Sequence, residues 1–131
     1  MEAAQRYLDA KERYSVGSED WARATGAAFD TLRRKVCAEV AKPEWWNDEG
    51  LKALSARVVR AAPNDAGAVA MRALVLRGGG DDAWEAGPRS GAELKEAAAH
   101  YDRAAALCPA PAVKAQFAGG AEMCRRLAEA M

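Results

Sequence analysis

The stretch SARVVRAAPNDAGAVAMRAL, residues 55–74, can be laid over YDRAAALCPAPAVKAQFAGG, residues 101–120, so that Arg57 falls on Arg103, Pro63 on Pro109 and Ala66 on Ala112. Each copy reads as the end of one amphipathic helix, a proline-marked turn and the start of the next helix. Proline disfavours helical geometry in the residue before it, so Pro63 and Pro109 each close a helix. Pro111 falls in the first turn of a new helix, where a missing amide costs nothing. The two prolines stand 46 residues apart.

The same punctuation continues on both sides of this pair. Towards the N-terminus, a first helix is predicted over residues 2–15. After a break at Val16-Gly17-Ser18, a second carries Trp21, Thr25, Ala28, Leu32, Val36 and Val40 on one face and stops before Pro43. After PEWWND, Asn47 or Asp48 caps a third helix whose face is Leu51, Leu54, Val58 and Ala62. Asp65 or Asn64 caps a fourth, AGAVAMRALVLR, apolar nearly all round and therefore expected at the centre of the fold. Gly78 ends it and opens a long loop. Ser90 and Glu93 form an S-x-x-E capping box for a fifth helix with Leu94, Ala97, Ala98, Tyr101, Ala104 and Ala105 inward. A sixth, from Pro111, is expected to bury Val113, Phe117, Gly120, Cys124 and Leu127.

Composition agrees with an all-α chain. Alanine contributes 33 of 131 residues and aromatics only 7%, which favours helix over sheet. Nineteen basic residues balance nineteen acidic ones, leaving no net charge for a polyanion or an anionic membrane, so neither nucleic acid nor membrane is expected as a partner. Cys37, Cys108 and Cys124 include no C-x-x-C pair and have only His100 beside them in the inventory. Neither a metal nor a disulfide framework is therefore expected, and a reducing, cytoplasmic setting fits. The charged start, MEAAQRYLDAKERY, lacks the apolar core of a secretory leader.

In the fifth helix, Ala97, Tyr101, Ala104 and Pro109 keep the spacing A-x3-F/Y-x2-A-x4-P. Through these residues the chain resembles the tetratricopeptide-repeat (TPR) family over residues 51–131. The spacing has a physical sense: small residues let two helices of a hairpin approach, the aromatic fills the space between them, and proline ends the helix so that the next hairpin can stack. The family repeat is about 34 residues, and the glycine-rich loop at 78–91 accounts for the longer distance here. The resemblance implies an α-solenoid of antiparallel helical hairpins, about six helices in one domain. Residues 1–42 would form an N-terminal hairpin, and residues 47–131 degenerate repeats with the loop inserted. It departs from the family where Arg72 replaces a usual leucine and where no W-x2-L-G-x2-Y pattern precedes the fifth helix.

The function implied is capture of a peptide or helix of another protein in the groove formed by the first helices of successive hairpins. Carried onto this chain, the groove positions are Ala70, Met71, Leu74 and Arg77 on the fourth helix and Gln116, Phe117 and Met123 on the sixth. Trp84, a large ring among Gly, Asp and Glu in the long loop, either folds back as a lid or meets a partner. Trp45 and Trp46 are read chiefly as structural anchors, and Arg89 either binds a carboxylate or is solvated, with solvation the favoured reading. Two other classes stay open: a self-associating structural domain, and a small-ligand or enzymatic domain using Glu96, His100 and Tyr101. Against the second, His100 stands at i,i+4 from Glu96 with no nucleophile beside it. No catalytic residue and no cofactor is assigned.

Overall fold

Short polar side chains start four of the five complete helices of the computed structural model, which describes residues 9–33, 43–78 and 84–131. Ser18 accepts from the amide of Trp21 and opens α1, Glu19–Leu32. Asn47 accepts from Gly50 and opens α2, Asp48–Ala61. Asp65 accepts from Ala68 and opens α3, Ala66–Arg77. Ser90 and Glu93 complete a reciprocal capping box at the start of α4, Gly91–Leu107. Each of these side chains takes up an amide that the first turn leaves without a partner. The last helix, α5, Pro111–Glu129, has no side-chain cap and begins instead on proline. Residues 9–12 are helical as well, and no strand occurs among the described residues. Val36, Val40 and most of the predicted first helix lie outside the described residues.

Side-chain volume and spacing explain the packing. Trp21 and Phe29 of α1, Leu51, Leu54 and Val58 of α2, and Met71 and Val75 of α3 close into one cluster. Ala73 and Leu76 of α3, Ala97, Ala98 and Tyr101 of α4, and Ala121 and Cys124 of α5 form a second. Val69 and Ala70 of α3 meet Ala104 of α4 in a third. Helix α3 thus contributes to all three, so that a nearly uniform apolar helix is covered on several sides. It packs on α1, α2 and α4, and α5 packs on α4. Alanines permit the close approach. At Gly120 a methyl group would press on its neighbour, since a Cβ there would lie 3.0 Å from the Tyr101 ring.

Arg72 ties three helices together. Its guanidinium donates to the Lys52 carbonyl at 2.8 Å and the Ser55 hydroxyl at 3.1 Å on α2, and to Glu96 on α4 at 3.2 Å.

Two expectations are corrected. Arg89 is not solvated. Its side chain is 6% exposed and donates to the Val75 and Leu76 carbonyls at 2.8 Å each, at the C-terminal end of α3. It also grips both carboxylate oxygens of Asp48, at 2.6 and 2.9 Å. Gly78, with φ +96°, turns the chain out of α3 beside this guanidinium in a backbone conformation that favours glycine. The second correction concerns α5. It buries only Ala121 and Cys124, while Phe117 and Gly120 are half-buried and Val113 and Leu127 are exposed. The apolar stripe is broader than the surface α4 offers it.

Candidate functional site

Helices α1, α3 and α5 border an open recess of about 520 Å³. Small residues line part of it, Gly26 and Ala27 of α1 and Gly67 and Ala70 of α3. There α1 and α3 come so close that a Cβ at Gly26 would lie 3.6 Å from the backbone of Gly67. Phe29, Met71 and Leu74 line it as well, together with Val113 and Phe117 of α5.

The rim is charged but balanced. Arg23 pairs with Glu19, with Asp20 at 3.8 Å and with Asp65 at 3.8 Å, and Arg33 pairs with Asp30 at 2.8 Å. Gln116 presents an exposed carboxamide on α5. Ion pairs closed within the chain leave the recess to select by shape and apolar contact. A buried side chain of phenylalanine size is worth roughly 2 kcal/mol to an occupant.

Five of the eight residues nominated from the sequence meet in this recess: Ala70, Met71, Leu74, Gln116 and Phe117. Three do not. Arg77 turns to the neighbouring layer, where it donates to the Tyr101 hydroxyl at 3.2 Å. Met123 is exposed further along α5. Trp84 folds back on its own chain, half-buried, its ring against Phe29 and Trp46 with centroids 5.9 and 6.0 Å away. The contribution of α1 was missed altogether. The small pair Gly26-Ala27 beside the Trp21-Thr25-Ala28-Leu32 stripe is the signal that could have disclosed it.

Asp48, at the start of α2, holds the loop in place. It accepts from the Trp84 indole at 3.0 Å, from the Gly87 amide at 3.1 Å and from Arg89, with the Lys52 ammonium 3.8 Å away. The Arg89 guanidinium keeps its carboxyl well below the usual range, against the opposing effect of burial. Glu93 is also lowered, chiefly by the hydrogen bond from Lys52. Trp45 and Trp46 are both half-buried, and the Lys11 ammonium lies 5.6 Å from the centre of the Trp45 ring.

The residues of the alternative catalytic reading are engaged otherwise. His100 Nε2 lies 3.2 Å from Glu96, whose carboxylate also takes Arg72. Tyr101 is buried, and burial raises its pKa. Cys124 is raised by burial as well. Among the described residues no group of three or more His, Cys, Asp and Glu could hold a metal ion, and no helix is long and apolar enough to cross a membrane. In comparisons with known proteins, no family model, no curated protein and no solved structure matches this chain.

Proposed function

We propose that the chain is a short tetratricopeptide-like stack, working in the cytoplasm, that holds a helix or peptide segment of another protein in the recess between α1, α3 and α5. In this reading α1/α2 and α3/α4 are successive hairpins, α5 is the first helix of a third, and the recess lies along the first helix of each. The observation that carries it is the recess itself, where small residues on two helices leave an apolar hollow with a neutral rim. The residues of the catalytic alternative are engaged with structural partners, Glu96 with both Arg72 and His100 and the Tyr101 hydroxyl with Arg77.

The test is a selection of displayed random peptides against the folded chain, followed by titration of the winners. Leu74→Glu should weaken binding at least about tenfold, as expected when an anchor of more than 1.4 kcal/mol is lost. Leu74 is packed against two clusters, so Val113→Glu, at a more exposed wall position, serves as the variant that leaves the fold intact. Peptides that bind both variants undiminished, or a selection that yields none, would reject the recess as the site.

A further inference from the structure

Charge is not spread evenly over this neutral chain. Between the turn that precedes α1 and the helix α2 lie two adjoining hollows, of about 340 and 190 Å³, which share Val16 and Arg57. Lys11, Arg57 and Arg60 line them, and no carboxylate does. The recess between α1, α3 and α5 has no lining residue in common with them, and it sets Asp30 and Asp65 against Arg23 and Arg33. Arg23, Arg33, Arg125 and Arg126 each pair with a carboxylate, whereas Arg57 and Arg60 have no such partner among the described residues. The Arg57 guanidinium lies 5.6 Å from the centre of the Trp21 ring. The Lys11 ammonium, 3.7 Å from Glu12, lies 5.6 Å from the centre of the Trp45 ring. A guanidinium set over an indole keeps its in-plane N–H donors for a carboxylate, and its restricted motion lowers the entropic cost of binding. The end of α2 accounts for a cation at Arg60, in its last turn, but not for Arg57 or Lys11.

We propose that this surface binds an acidic segment of a partner protein, with one carboxylate on Arg57, a second on Arg60, and an apolar side chain against Val16, which is 70% exposed. Charge complementarity argues for that occupant. Helix neighbours at i and i+3 have Cβ atoms about 5–6 Å apart. Alternate residues of an extended chain lie about 6.6 Å apart on one face. A Glu-x-Glu sequence in extended form therefore presents its carboxylates at a spacing that fits the two arginines. Three cations are too few for the repeated phosphate contacts of a nucleic acid, and the exposed valine suits an apolar side chain. This surface is separate from the recess and does not depend on the reading of it.

The probe is the capped peptide Leu-Ser-Glu-Ser-Glu, titrated into the full chain and followed by backbone amide shifts. Saturable shifts are expected at Gly17 and Ala61, with an affinity that falls as salt screens the exposed charges. Arg57→Gln and Arg60→Gln, both at exposed positions, should each raise the dissociation constant about threefold, and together about tenfold. Arg57→Gln also removes the contact with Trp21, so Arg60→Gln is the variant whose effect belongs to the ligand alone. Arg126→Gln, the same loss of charge on α5, should leave the affinity unchanged. A single-stranded RNA oligonucleotide, titrated in parallel, should bind more weakly than the peptide. The proposal is overturned by an absence of saturable shifts, by equal affinity for Leu-Ser-Gln-Ser-Gln, or by indifference to both arginine substitutions. Shifts confined to Gly26 and Ala70 of the recess, or tighter binding of the RNA, overturn it as well. None of these outcomes bears on the effect of Leu74→Glu on selected peptides, so the two readings fail separately.

Discussion

Asp48 and Arg89 are 41 residues apart in sequence and together fasten a loop, a helix start and a helix end. Asp48→Asn leaves a nearly buried guanidinium without its counter-charge, so a loss of about 3 kcal/mol is expected, measured as a lower midpoint in urea. The pH dependence follows from the direction of the shift. Because the folded pKa lies below the ordinary value of 3.8, the unfolded chain takes up the proton first. The stabilisation is complete at neutral pH and shrinks as the pH falls below that value. The difference between wild type and Asp48→Asn should thus be smaller at pH 3 than at pH 7 by about 1 kcal/mol, and an unchanged difference would show that the pair carries no such linkage. Thiol chemistry separates two other residues. Burial holds the Cys124 thiol protonated, whereas Cys108 is half-exposed. Under native conditions a thiol reagent should modify Cys108 first and reach Cys124 only on unfolding.

Within α5 two adjacent glycines should respond with opposite signs. Alanine favours a helix by about 1 kcal/mol over glycine. At Gly119 nothing lies within 4 Å of the added Cβ, so Gly119→Ala should stabilise by most of that amount. At Gly120 the methyl would press on the Tyr101 ring at 3.0 Å, and overpacking costs about 1–3 kcal/mol. Gly120→Ala should therefore destabilise by roughly 1 kcal/mol net. Equal thermal midpoints for the two variants would contradict this geometry. The elements themselves were largely legible beforehand. Asn47, Asp65 and Ser90 start helices where their short polar side chains predicted it, and Ser18, read beforehand only as part of a break, does the same, because capping depends only on residues within one turn. The inward face of α4 was equally plain, since all six of its predicted residues are buried. The face of α5 was not, because periodicity reports that a stripe is apolar and not how much of it a neighbour covers.

Across the molecule, α3 joins all three clusters and packs on α1, α2 and α4, while α5 rests mainly on α4. Amide exchange should be slowest in α3 and fastest, among the helices, in α5 beyond Met123. Protection of the end of α5 equal to that of α3 would contradict the packing. The amino-acid order alone determined that the chain is helical, where most helices begin and end, and that the AGAVAMRALVLR segment needs cover on several sides, for these depend on propensity, caps and the 3.6-residue period. Only the tertiary structure decided that Arg89 turns inward to Asp48, that Trp84 closes on Phe29 and Trp46, and that α1 helps to build the recess with Leu74 and Phe117. Each of these is a meeting of residues far apart in the chain, and such a meeting leaves no local pattern because its energy arises only once the helices have packed.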